Sequence, residues 1–183
     1  MKSNWILPFI GGILAAILIF CAVGYVVVST PTIDPGADQP IPQFERWMAK
    51  SSIRAWLRAN TPETKNPLPV NEQNLNAGCR LYVNNCAVCH GLEDGVKTKT
   101  SEGFYKNAPI FVKEAEEWSK EKDGLVYWFI EHGVRLTAMP TYKNSLSEDE
   151  KWQVVMFIKE MYKLPEPVKA RWQSIKTCDL MRD

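Results

Sequence analysis

The chain has 183 residues, 45% of them hydrophobic, with 22 Lys and Arg against 21 Asp and Glu. That length holds one ordinary domain and some further segments. A net charge of +1 excludes the strongly basic class of nucleic-acid-binding proteins.

Residues 5–28, "WILPFIGGILAAILIFCAVGYVVV", carry no charge. A helix over residues 6–28 is about 34 Å long at 1.5 Å per residue, enough to cross a hydrocarbon core with some tilt. Trp5 and Tyr25 sit near its ends, where amphipathic rings favour the membrane interface. No A-x-A site follows the run, and the run is longer than a signal-peptide core. Phe20 stands ahead of Cys21, where a lipoprotein signal needs a small side chain. The reading is a retained anchor over 1–28, in contact with lipid through residues 6–28. Lys2 is the one charge ahead of it and favours the N-terminus inside. The formal charge of the remainder is zero, because removing Lys2 from the 22 basic residues leaves 21 against the 21 acidic ones. This puts the bulk of the chain on the outer, periplasmic face of a cytoplasmic-type membrane. Gly11 with Ala15 and Gly12 with Ala16 are small-xxx-small pairs, which favour a resident subunit of a larger membrane complex.

Residues 29–70 read as a tether with one helix in it. "STPTIDPGADQPIPQ", residues 29–43, has four prolines and reaches about 45 Å in polyproline-like form. "FERWMAKSSIRAWLRAN", residues 44–60, reads as an amphipathic helix. Arg46, Lys50, Arg54 and Arg58 form a basic stripe, and Phe44, Trp47, Met48, Trp56 and Leu57 an apolar counterpart. Such a helix suits a membrane surface or a partner subunit, and equally suits packing on its own domain with a solvated basic face. "TPETKNPLPVN" then breaks it.

A domain over 71–164 follows, with a tail over 165–183. "NEQNLNAGCRLYVNNC" reads as a helix capped by Asn71. Residues 91–112 are polar and turn-rich. "KEAEEWSKEK" reads as helix, and "DGLVYWFIEHG" as a helix with Asp123 as N-cap and Gly133 as C-cap. "SLSEDEKWQVVMFIKEMYKL" carries a capping box, Ser147 with Glu150. No alternating strand pattern occurs, so the fold class is all-α.

Within "NNCAVCHGLEDG" lie Cys86, Cys89 and His90. Cys-x-x-Cys-His is the signature of covalent c-type haem attachment. Two thiols add to two porphyrin vinyl groups, and the adjacent imidazole becomes an axial ligand of the iron. A structural zinc site needs four ligands, usually from two such pairs. A thioredoxin-like dithiol needs a strand and a βαβ setting. The flanks here read as helix, and one clip implies one haem c. Of the five cysteines, Cys79 and Cys178 remain for a disulfide, in an oxidising compartment, or stay as thiols. The second axial ligand comes from "HGVRLTAMPTY". Met139 lies in an irregular segment stiffened by Pro140, whereas His132 ends an apolar helix and more often caps carbonyls. Met48, Met156 and Met161 fall in helical apolar patterns and suit packing. Trp128, Phe129, Leu136 and Trp152 are candidates for an apolar pocket, and Arg135 for a haem propionate or a solvated charge.

Over residues 71–164 the chain resembles class I cytochromes c, in the membrane-anchored group. Gly78 and Tyr82 in "GCRLYVNNCAVCHG" match the helix that crosses the family's C-terminal helix, here "EDEKWQVVMFIKEM" with Trp152 and Phe157. "NAPIF" is similar to the loop whose proline carbonyl orients the proximal histidine, which implies that Pro109 orients His90. "GVRLTAMP" looks like the family's methionine loop. The resemblance implies an electron carrier rather than an enzyme with its own substrate. Its partners would be membrane redox complexes, such as a reaction centre, a terminal oxidase or a quinol-oxidising complex. Two other classes stay open: a haem-based ligand sensor or enzyme subunit with Met139 displaceable, and a mainly structural subunit docking through residues 44–60.

Overall fold

The computed structural model describes residues 5–31 and 33–175. They fall into two compact units that divide between Gln39 and Pro40. The expected pairing of Cys79 with Cys178 and the charge of Lys2 lie outside the described residues.

The first unit holds helix α1, Ile6–Ser29. Its 24 residues carry no charge and present no buried side chain, so it is long and apolar enough to cross a membrane.

The second unit is helical throughout, with no strand among the described residues. It contains α2 (Gln43–Asn60), α3 (Glu72–Asn85), α4 (Ala87–His90), α5 (Lys99–Glu102), α6 (Ala115–Lys120), α7 (Asp123–His132), α8 (Glu148–Glu160) and α9 (Glu166–Ser174). Short 3₁₀ turns precede α6 and follow α8. The order is that of an all-α class I cytochrome c domain.

The ends of these helices follow from their capping chemistry. The Asn71 side chain accepts from Asn74 N–H at 2.8 Å and opens α3. Ser147 and Glu150 form the reciprocal capping box of α8. Gly133 closes α7 with φ 64°, a left-handed conformation that glycine adopts without strain. Asp123 departs from expectation. Lys122 takes the N-cap position of α7, because the Asp123 carboxylate is drawn to Asn66 N–H at 2.8 Å and to the Lys159 ammonium.

The core is built on the crossing of α3 and α8. α3 buries Leu75, Gly78, Cys79, Leu81 and Tyr82 along one face, at helical spacing. α8 is packed by α3, α6 and α7, so it is buried almost all round, with Val154, Val155 and Phe157 wholly inaccessible. The two backbones meet at Gly78. A Cβ there would stand 2.2 Å from the Gln153 carbonyl oxygen and 2.9 Å from the Phe157 Cβ. Lys151 is also buried on α8, and pairs with Glu131 of α7 at 2.9 Å.

The tail continues this core. α9 packs against α3 and buries Val168 and Trp172. Trp172 stands 5.5 Å from Tyr82 and 5.2 Å from Phe157, both edge-on, which closes an aromatic triad with the Tyr82–Phe157 pair at 5.4 Å. Burial pushes the Cys79 thiol up to about 11, against the pull of Arg171 on α9.

Residues ahead of α3 strap onto α7 and α8. The Pro62 carbonyl lies so close to α7 that a Cβ on Gly124 would stand 2.2 Å from its oxygen. Asn66 Nδ2 donates to the Trp152 carbonyl at 2.9 Å, and Lys122 pairs with Glu63 at 2.5 Å. α2 docks mainly by its C-terminal half, where Trp56 lies 4.7 Å from Trp128 of α7 and Ile53 and Leu57 are half-buried, and at its N-terminal end through Glu45, which accepts from the Tyr105 hydroxyl at 3.0 Å.

Two predictions follow from these contacts. Gly78→Ala should destabilise the holoprotein by about 3 kcal/mol or more, because the close backbone must separate; chemical denaturation measures it, and an unchanged midpoint would refute the crossing. Burial pushes the Asp123 carboxyl up, but Lys159 and Asn66 N–H outweigh it and hold the group below its ordinary 3.8. The stabilisation is therefore present above that value and is lost as pH falls through the lower folded one. Asp123→Asn should flatten the acid limb of stability against pH, read from denaturant midpoints across the acid range.

Candidate haem site

The site begins where α3 ends. Cys86 is the last residue of the α3 helical path and the cap of α4, and its N–H donates to the Tyr82 carbonyl at 2.8 Å. The single turn of α4 is closed by Cys89 and His90 N–H donating to the Cys86 carbonyl, at 3.0 and 2.9 Å. One helical turn thus carries both thiols and the imidazole. Gly91 follows with φ 78°, and turns the chain away. Tyr82 reaches from the α3–α8 crossing to this turn, donating its hydroxyl to the Gly91 carbonyl at 2.9 Å.

His90 is aimed by its own hydrogen bond. Its Nδ1 lies 2.8 Å from the Pro109 carbonyl oxygen. A carbonyl can only accept, so Nδ1 carries the proton and Nε2 keeps its lone pair for a metal. The ring also stacks on Phe111, 4.4 Å away and 17° from parallel, and Phe111 is held edge-on by Trp118 at 4.9 Å. Burial pushes the imidazole below its ordinary range, against the opposing effect of the Pro109 carbonyl. It therefore stays neutral, as a ligand must be.

The thiols sit on a helical turn that follows a helix, not in the strand-and-helix setting of a redox dithiol. Burial, then the neighbouring Cys89, pushes Cys86 up to about 12, and burial raises Cys89 as well. A reactive Cys-x-x-Cys pair has the opposite shift. Two thiols and an oriented, neutral imidazole on this one turn fit covalent haem c.

Met139 lies half-buried in the loop between α7 and α8. This loop is tied to itself: Val134 N–H donates to the Met139 carbonyl at 3.2 Å, Met139 N–H to Thr137 Oγ1 at 3.2 Å, and Thr137 Oγ1–H to the Val134 carbonyl at 2.7 Å. Gly133 is pressed against the segment leaving the loop, where a Cβ would stand 2.6 Å from the Met139 carbonyl oxygen. Tyr142 then joins the loop to the clip, donating its hydroxyl to the Asn85 carbonyl at 2.6 Å. Burial, with the nearby Cys86 and Cys89, pushes its phenol up to about 12. The fold therefore brings the loop of Met139 to the end of α3, beside the thiols.

The other candidates divide. Arg135 is exposed on the loop and forms no ion pair among the described residues. Leu136 is also exposed, with φ 63°, rare for a branched side chain. His132 ends α7 beside Trp128, with ring centroids 5.0 Å apart, and 3.5 Å from Glu131. Trp152 is buried and stacks on Tyr127 at 4.2 Å. Phe111 and Tyr142 are contacts that spacing alone does not reveal. Their only signal is position, two residues beyond Pro109 and Pro140.

An all-α domain with this turn at the end of its first core helix defines the class: the protein is a c-type cytochrome, with an N-terminal apolar helix suited to anchoring it in a membrane. Residues 73–158, just under half the chain, match the family described as cytochrome c oxidase, cbb3-type, subunit III. No curated protein matches the chain significantly. The class implies covalently bound haem c and a part in haem-based electron transfer.

Tyr82→Phe should cost about 1–3 kcal/mol, because it leaves the buried Gly91 carbonyl without its donor. Thermal unfolding of the holoprotein checks this, and the absorption spectrum should stay unchanged.

Proposed function

We propose that this protein is a one-electron carrier with a single haem c, attached through Cys86 and Cys89 and ligated by His90 and Met139. It works as a resident subunit of a membrane redox complex, and the family match favours a terminal oxidase over a reaction centre or a quinol-oxidising complex. The single observation that carries this reading is the 2.8 Å contact of His90 Nδ1 with the Pro109 carbonyl, beside the paired thiols, because it leaves Nε2 directed and unprotonated.

A bound haem c supplies a one-electron change between ferrous and ferric iron. The residues do the rest. Pro109 holds the proximal imidazole in one tautomer and raises its basicity. Met139 offers a neutral thioether, which favours the ferrous state relative to a second imidazole. The hydrogen bonds within its loop limit how far the thioether can swing, and so disfavour entry of another ligand. Arg135, on the same loop, pairs with a propionate. Neither axial position is then open for oxygen or peroxide, which suits a carrier and not an enzyme with its own substrate. The anchor α1 keeps the N-terminus inside and the haem domain on the periplasmic face.

The test is gentle detergent extraction from the native membrane, then optical redox titration and identification of co-purifying subunits. The expected result is a low-spin haem that ignores carbon monoxide and travels with oxidase subunits. Met139→Ala should become high-spin, bind carbon monoxide when reduced and titrate at a lower potential, while still assembling. Carbon monoxide binding to the unaltered ferrous protein would point instead to ligand chemistry. Loss of the complex in Met139→Ala would point to a structural role for that loop.

A further inference from the structure

α2 is attached to the domain by only one of its faces. At 3.6 residues per turn, Phe44, Met48, Ser51 and Ala55 lie opposite Ile53 and Leu57, which face the domain. The outward row is apolar and aromatic at its N-terminal end: Phe44, Trp47 and Met48 are 68%, 62% and 49% exposed. Arg54 and Arg58 flank that row, while Arg46 and Lys50 turn toward the side of Ile53 and Leu57, with Arg46 near Tyr105; all four are exposed, and none forms an ion pair among the described residues. Glu45 is the one acidic residue of the helix. It is held by the domain, accepting from the Tyr105 hydroxyl at 3.0 Å. The free surface of α2 is therefore cationic and apolar together.

The connection to α1 says what covers this surface. The chain between Ser29, where α1 ends, and Gln43, where α2 begins, reaches about 40 Å at most in polyproline-like form. The exposed aromatics lie at the end of α2 that this tether enters. If α1 crosses a bilayer, the tether sets an upper limit on how far that end can stand from the membrane surface, and so raises its effective concentration there. Large aromatic side chains favour the interface, and the long basic side chains can lay their stems over apolar surface while their charged ends meet lipid phosphates. A partner protein would need both an acidic rim and an apolar groove in register; an anionic bilayer presents both everywhere.

We propose that the N-terminal half of α2 lies on the bilayer that holds α1, with Phe44, Trp47 and Met48 in the interface and the basic flank against anionic lipid headgroups. This rests on α1 being membrane-inserted and is independent of the haem ligands. It makes α2 a second, charge-selective attachment that limits the tumbling of the cytochrome domain about its tether.

The test is hydroxyl-radical footprinting of the full-length holoprotein in lipid nanodiscs, read residue by residue by mass spectrometry. Phe20 and Tyr25 report insertion of α1 in the same sample. Oxidation of Trp47 and Met48 should fall several-fold in discs containing phosphatidylglycerol, relative to discs of phosphatidylcholine alone. High salt, or the combined changes Arg54→Glu and Arg58→Glu, should restore it, with the haem spectrum unchanged. Equal oxidation of Trp47 and Met48 in both kinds of disc, with Phe20 and Tyr25 protected, would overturn the proposal. So would protection found only in native membranes, which would assign the surface to a partner protein. Oxidation of Phe20 and Tyr25 at the level of exposed residues would remove the anchor and the proposal with it.

Discussion

The absence of a side chain at Gly78 lets the α3 and α8 backbones touch, and the cytochrome domain is organised around that contact. A Cβ would stand 2.2 Å from a main-chain oxygen, so no rotamer change could relieve it. With the helices this close, Tyr82 and Phe157 are brought together one turn further on, and Trp172 closes over both. Flat, rigid rings fill the angle between two crossing helices at small entropic cost and make many dispersion contacts. The crossing therefore sets the direction of α3 firmly, and α3 ends in the haem-binding turn.

Rigidity passes from core to site through a few hydrogen bonds. Tyr82 belongs to the aromatic cluster by its ring and to the clip by its hydroxyl. Pro109 fixes the imidazole from the opposite side, and Phe111, two residues on, supports the ring face. Tyr142 ties the end of the methionine loop to the last carbonyls of α3. A metal-centred redox site benefits from such fixed surroundings, because ligand geometry and second-neighbour hydrogen bonds tune the potential. The contacts that hold the fold together thus also fix the surroundings of Cys86, Cys89 and His90.

Outside this frame the chain is concerned with place. α1 is apolar on all sides, as suits a lipid environment. The segment before α3 is strapped to α7 and α8 through Pro62, Asn66 and Glu63. α2 is half docked on the domain and half free. Arg46, Lys50, Arg54 and Arg58, all exposed, make the surface of α2 locally cationic.

Much of this was legible in the sequence, and the physical reason is locality. Helix periodicity, the caps at Asn71, Ser147 and Gly133, the unbroken apolar run of α1 and the spacing of Cys86, Cys89 and His90 all depend on neighbours within a few residues. Chemistry that needs two thiols and an imidazole on one helical turn writes itself into five consecutive positions. Which distant segments meet is a different kind of information. Asp123 looked like an N-cap because its competing partners, Asn66 and Lys159, are remote in sequence. The burial of Trp172, the support of His90 by Phe111, the link from Tyr142 to Asn85 and the side of α2 that faces the domain were decided by tertiary packing alone. Each is a choice among many chemically acceptable partners, and only the close approach of α3 to α8 determines which of them come within reach.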